Sequence, residues 1–440
     1  MTDRPSARVA ALAAVVAGSL LLAATAVVVV LRGPERQERP EPAERAARTG
    51  TVAETITATQ AHLREFPEDA AGWATLGSAY VQQARISGDP TLYPRAEGAL
   101  RRSLEQRPEG NADAMTGMGA LANARHEFAE ALEWARRAQR ADPYDATALG
   151  VQDDALTQLG DYPGARRAAQ RMLDLAPGVA SFARASYHFE QTGDVAAART
   201  ALDRALAEAV QPSDIAFCRL YLGELAFGQG DPREALEQYR RGLEAEPDGP
   251  ALLAGRARAR AATGDTVGAE RDYADVVARL PLAQYLLEYA ELLASTGRTA
   301  QARQQLALID AETRLQQANG VVDDLAVAVV AADHGRPDVA VKHARAEWSR
   351  RHSVLVADAL AWALHRAGRN REAKEFAVRA GKLGWRNATF SYHRGMIELA
   401  LGDRDAAREH LELALSINPY FSLPGAAGAR AALDTLRGAR

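Results

Sequence analysis

Glycines recur along this chain at intervals of 33 to 38 residues: Gly160, Gly193, Gly230, Gly264, Gly297, Gly335, Gly368 and Gly402. Most lie between two apolar stretches of helical period. A glycine is suited to the left-handed residue that ends one helix before the next begins. Asp161, Asp194, Asp231, Asp265 and Asp403 follow directly, and an aspartate there can cap the second helix with its side chain. Single units depart from the pattern: Gly297, for one, lacks the aspartate, and His126 stands where the second unit would have its glycine. Ala, Leu, Arg and Glu, all good helix formers, dominate the composition. Each unit of such an array packs only on its neighbours, so 440 residues need not divide into two or three ordinary domains.

The units share an internal signature. Trp73, Leu76, Gly77 and Tyr80 stand at W-x2-L-G-x2-Y spacing. In the second helices a small residue, then a larger one, precede a proline: Ala96, Leu100 and Pro108; Ala235, Tyr239 and Pro247; Ala269, Tyr273 and Pro281; Ala407, Leu411 and Pro419. The alanine lets two helices approach, the larger side chain fills the gap, and the proline stops the helix. These motifs resemble the tetratricopeptide repeat (TPR) superfamily over residues 57–424, with about ten repeats. The first repeat carries an insertion, Arg85 to Arg95. The resemblance implies an all-α, right-handed α-solenoid of helix-turn-helix units, the first helix of each lining a concave face. The array is expected over 51–424, with 425–440 as a capping helix. The whole chain also resembles bacterial TPR arrays set behind a membrane or export segment. The opening block Pro67 to Tyr80 is similar to the TPR part of cytochrome c assembly factors, which gives an envelope assembly factor as one alternative.

After a short tail, 1–8, the run Val9 to Leu31 holds 23 residues without a charge. As a helix it would measure about 34 Å, enough to span a hydrocarbon core of about 30 Å with some tilt. An uncleaved transmembrane anchor over 9–31 is expected. Ala24-Thr25-Ala26 offers a signal cleavage option, which the following Val27 to Val30 argues against. Residues 32–50, rich in Arg, Glu and Pro, are expected to form a solvated linker. A short tail before a single span favours an extracytoplasmic body, while the arginines after the span favour the opposite orientation. A cytoplasmic body, or secretion after cleavage, are the alternatives.

Composition also limits the chemistry. The formal charge of -4 gives no basic footprint for nucleic acid. Cys218 is the only cysteine, so neither an intramolecular disulfide nor a cysteine-based metal site is available, and its neighbours Phe217 and Leu220 suggest a buried small hydrophobe. No phosphate-loop, nucleophile-elbow or zinc-protease motif occurs. Neither an enzyme nor a bound cofactor is expected. His334, His343, His352, His365, His393 and His410 crowd the last repeats. They raise a metal-handling or hydrolytic alternative, but no pair has the i, i+4 spacing of a helical metal face. Asn387-Ala388-Thr389 is a glycosylation sequon, read as accidental.

Two helix faces stand out as candidate partner-binding surfaces. Ala357, Leu360, Ala361 and Leu364 form one apolar packing stripe, and Asp358, Trp362, His365 and Arg366 form a second. Lining the concave face, the second stripe would offer Trp and Arg, both typical binding hot spots; the bland alternative has Trp362 filling a gap between repeats. The equivalent helix of the fifth repeat offers Tyr221 and Glu224, with Phe217 and Phe227. The Lys and Asn set with which some TPR domains clamp a terminal carboxylate is not seen here. The expected function is a membrane-tethered scaffold that binds a protein or peptide in its concave groove.

Overall fold

The computed structural model describes residues 51–438. Among these residues the chain forms 22 α-helices and no strand. Ten antiparallel pairs run from Ala70 to Ile417, preceded by the helix Val52–Glu65 and followed by Leu423–Gly438. No described helix is long and apolar enough to cross a membrane. The tail, the expected span over 9–31 and the linker lie outside the described residues.

The glycine beat is a backbone requirement. Gly160, Gly193, Gly230, Gly264, Gly297, Gly335, Gly368 and Gly402 all have positive φ, between 72° and 92°. In the third pair the amide of Asp161 reaches back to the Leu156 carbonyl at 2.9 Å and that of Gly160 to Thr157 at 3.2 Å, which closes the helix end with a left-handed residue. The aspartates then start the next helix. Asp161, Asp194, Asp231 and Asp265 accept from the amides of Gly164, Ala197, Glu234 and Gly268 at 2.9–3.0 Å. Asp403 departs from this expectation: it makes no side-chain cap, and its carboxylate takes the Lys374 ammonium at 3.2 Å instead. The insertion in the first pair lengthens its first helix, Ala70–Ser87, to 18 residues, and Asp89 then holds the amide of Thr91 at 3.0 Å.

Packing explains the signature. A Cβ on Gly77 would lie 2.5 Å from Leu100 Cγ, so only glycine lets that helix meet the buried Leu100. The same device brackets Tyr239, because a Cβ on Gly223 or Gly255 would lie 2.4 or 2.5 Å from its ring. The ring is therefore held between the helices Pro212–Gly228 and Pro250–Ala262. The terminal helix begins ahead of Gly425 because the Ser422 hydroxyl accepts from the Gly425 amide at 2.8 Å. It buries Ala429, Leu433 and Leu436 against the last pair.

The described residues divide into two compact units, 51–184 with 314–322, and 185–313 with 323–438. In the first, Val321 joins the core around Leu76, Tyr80 and Leu100. In the second, one core surrounds Tyr239 and Tyr273 and another surrounds Trp362. Within this second unit, pairs remote in sequence meet. Asn418 Nδ2 donates to the Phe227 carbonyl at 2.7 Å, across 191 residues. The left-handed turn at Gly193 sits so close to the Gly384 carbonyl that a Cβ would lie 2.6 Å from it.

Candidate functional site

The first helices of the fifth, sixth and seventh pairs carry Glu224, Arg258 and Glu291 at one repeat position, six residues before Gly230, Gly264 and Gly297. The repeat thus places three charged side chains in register. Two tyrosines from the second helices fix the geometry. Tyr239 Oη donates to Glu224 at 2.8 Å, and Tyr273 Oη to Glu288 at 2.9 Å. Arg258 lies between these carboxylates, 2.7 Å from Glu224 and 3.7 Å from Glu288.

This cluster forms one side of a cavity of about 240 Å³. Phe227, Leu287, Leu355, Phe390 and Phe421 give it apolar walls, while Arg258, Glu288 and Glu291 face it as polar groups. Its far side consists of the start of the helix Ala388–Ala400, the turn 419–422 and the terminal helix. Those elements reach it through the long-range contacts of this unit: Asn418 on Phe227, and Arg386 Nε on Gln229 at 3.4 Å. Trp385 adds edge contacts to Tyr187 and Phe390 at 5.9 and 5.6 Å.

The electrostatics are uneven. Burial opposes the charge of Arg258, but the flanking Glu224 and Glu288 carboxylates more than offset it and raise its pKa. Burial raises Glu288 despite Arg258 and the Tyr273 hydroxyl. Glu291 is held well above the ordinary carboxylate range by burial, then by the like charges of Asp333 and Glu288. One of its carboxylate oxygens is buried with no hydrogen-bond partner among the described residues. Burial also pushes Glu190 up to about 7, although the Trp385 indole hydrogen-bonds it.

The residues expected at the groove divide sharply. Glu224 belongs to the charged cluster. Tyr221 is buried, its ring 4.7 Å from that of Phe217. Asp358 and Trp362 do not face an open groove as expected; each is only 1% exposed. The Trp362 indole donates to Asp333 at 2.8 Å and stacks on His393 at 4.1 Å and His365 at 4.9 Å. Asp358 accepts from His393 Nδ1 at 2.9 Å. The repeat on either side closes over this stripe, and the indole fills the space. His365 bonds Asn370 at 2.7 Å, and burial lowers its pKa to about 4. Arg366 donates to the Ala332 carbonyl at 3.1 Å. Arg258, Glu288 and Glu291 were not singled out from sequence. Their available signal was the repeat offset from Glu224.

The other histidines serve separate local contacts. His343 meets Asp324, His410 meets Glu398 at 2.7 Å, and His352 packs edge-on to Trp348 at 4.6 Å. Among the described residues no group of three or more His, Cys, Asp or Glu is placed to hold a metal ion. Cys218 is fully buried and its thiol is pushed up to about 12 by burial. Asn387 of the sequon spends its side chain capping Phe390 at 3.1 Å.

Comparison with known proteins agrees with the repeat reading. Two tetratricopeptide repeat family models match, one over residues 91–146, 154–213 and 220–282, the other over 388–421. No curated protein matches the chain. Similar solved structures include a tetratricopeptide repeat protein from Parabacteroides merdae, 20% identical over 59% of this chain and 98% of that one, with a TM-score of 0.35. The human IFIT1 dimer with m7Gppp-AAAA is 14% identical over 83% of this chain and 86% of that one, with a TM-score of 0.48. The type IV pilus biogenesis factor PilW is 19% identical over 47% of this chain and 97% of that one, with a TM-score of 0.39. With ten helix pairs, the left-handed turn at each beat and these family matches, the chain belongs to the tetratricopeptide repeat superfamily.

Proposed function

We propose that the chain is an interaction scaffold whose partner polypeptide docks in the cavity bounded by Phe227, Leu355, Phe390 and Glu291. The observation that carries this reading is the cavity itself, with apolar walls around Glu291, one of whose carboxylate oxygens is buried without a hydrogen-bond partner among the described residues. Protein interiors rarely leave such a group unsatisfied, and each exception calls for an explanation. Of the other polar groups, Tyr239 and Arg258 bond Glu224 and Tyr273 bonds Glu288, while Arg258 Nε is buried 3.7 Å from Glu288 without a hydrogen bond. That is an arrangement for recognition, because no nucleophile is set beside a base. The cavity is below the range of about 300–1,000 Å³ usual for small-molecule pockets, and suits one or two side chains of a docked segment.

The second part of the proposal is the tether. The uncharged run Val9 to Leu31 would anchor the array in a bilayer, with the body on the extracytoplasmic side. Resistance of the full chain to carbonate extraction, and digestion of the body by protease added outside spheroplasts, are the expected results. Protection of the body from that protease would reverse the orientation.

Docking is tested by photo-crosslinking in native membranes. A benzoyl-phenylalanine replacing Thr389, which lines the cavity, should give a discrete adduct. The same probe at the exposed Tyr144 should not. Adding Ala262→Trp to fill the cavity should remove the adduct while leaving the melting curve in place. An adduct that survives the filled cavity would end the docking reading.

A further inference from the structure

The chemistry of the cavity narrows what can occupy it, given the docking reading above. Arg258 is the only cation in the charged cluster, and Glu224 and Glu288 already hold it at 2.7 and 3.7 Å. Glu291 is left over. No cation lies within ion-pair distance of it among the described residues, and the like charges of Asp333 and Glu288 act on it. An anionic segment would meet net repulsion. A purely apolar one would displace water from Glu291 and leave its carboxyl either protonated with an unbonded buried oxygen or charged without a counter-ion, each of which is costly. A cationic side chain alone answers both problems, because it pairs with the free carboxylate as it excludes water. The walls support the same occupant. Phe227 already stands 5.3 Å from the Arg258 guanidinium, and Phe390 and Phe421 offer further ring faces to a cation. Arg430, also at the cavity, is turned to the Pro419 carbonyl at 2.8 Å and does not neutralise Glu291.

We propose that the cavity selects a segment of a partner protein bearing a lysine or arginine side chain flanked by apolar residues, and that Glu291 receives the cation. Glu288 and Glu224 position Arg258 away from Glu291, so that the receiving carboxylate stays open. Arginine suits the site better than lysine, since its planar guanidinium can bond the carboxylate while stacking on a ring.

The test uses the full chain in detergent and fluorescein-labelled pentapeptide pools. The central residue is Arg, Lys, citrulline or Glu, and the flanking positions are randomised among Leu, Phe and Ala. Fluorescence anisotropy gives an affinity for each pool. The Arg pool should bind at least about 30-fold tighter than the citrulline pool, the usual scale for one partner of a buried charge pair. Glu291→Gln should abolish that preference while leaving citrulline binding in place. The exposed Glu244→Gln should change neither. Equal binding of the Arg and citrulline pools, with both lost on Ala262→Trp, would overturn the cation selectivity and keep the docking site. Binding of no pool, or binding indifferent to Ala262→Trp, would overturn both. A preference for Arg that persists in Glu291→Gln would also overturn the assignment, since another group would then receive the cation.

Discussion

The sixth, seventh and ninth repeats place Arg258, Glu291 and Trp362 at one position, six residues before the turn glycine. Their surroundings could hardly differ more. Trp362 is buried in a core: the indole is bonded to Asp333, stacked on His393 and 1% exposed, although Asp358 Oδ1 and His393 Nε2 beside it make no hydrogen bond among the described residues. Around Arg258 and Glu291 the side chains border a cavity and one carboxylate lacks a partner. The repeat fixes where a side chain starts and which way it leaves the helix. Whether it ends in a core or a binding site depends on what the neighbouring and the remote repeats bring to it.

The largest expected effect falls on the filled position. Trp362→Ala should destabilise the protein by about 3–5 kcal/mol, the usual cost of emptying a large aromatic site, and should also leave Asp333 without its indole donor. A urea midpoint within error of the wild type would break the comparison, because Trp362 would then not be core. Next comes Arg258→Leu. It removes the cation shared by Glu224 and Glu288 and should cost about 3 kcal/mol, chiefly from carboxylates left buried without a counter-charge. Adding Glu224→Gln and Glu288→Gln should recover much of that loss. If the triple variant is no more stable than the single one, the cost lies in packing rather than charge.

The contrast also marks where sequence stops being informative. The beat of glycines, the aspartate caps and the small-then-large packing positions are local, so the fold can be read from them directly. Asp403 shows how narrow that licence is, since a lysine from the preceding repeat takes its carboxylate. Glu224 was recognisable as a charge among aromatics. Trp362 looked more like an anchor than Glu291 did, because a tryptophan at a repeat position suggests both core and hot spot. For Trp362 the neighbouring repeats decide, through Asp333 and His393, whereas the cavity beside Glu291 is closed by contacts such as Asn418 on Phe227, 191 residues apart. No period or propensity reports a contact of that span.

A smaller effect separates the two kinds of site by pH. Burial raises Glu190 to about 7 from 4.5 and holds Glu291 well above its ordinary range. For an acid with a raised pKa the folded state binds the extra proton. Its stabilising share is present below the unfolded pKa and is lost as pH climbs toward the folded one. Glu190→Gln should therefore match the wild type near pH 4.5 and exceed it by about 1 kcal/mol above pH 7, after discounting for solvent screening. Glu291→Gln should gain in the same direction. Thermal melts across pH 4.5–8 give the difference curve. A gap that is constant with pH would remove the charge explanation at that residue.

The smallest effect concerns the turn, where the repeat dictates backbone and leaves little to neighbours. His126 has φ 65° and is the one non-glycine residue of positive φ among the described residues. It occupies the second pair's turn, where the other pairs end in glycine, and an L-residue in that conformation costs roughly 1–2 kcal/mol. The ring recovers part of this by stacking on Phe128 at 5.5 Å. Glycine would relieve the strain but would lose that stack and free the unfolded chain. The balance for His126→Gly should be a gain of about 0.5 kcal/mol, near 2 °C for a chain of this size. His126→Ala keeps the strain and loses the stack, so it should fall below the wild type. A gain for glycine with alanine equal to the wild type would show that the turn position is governed by φ alone. Equal losses would show that the imidazole contact outweighs the backbone, and the rule drawn from Trp362 and Glu291 would then reach the turns as well.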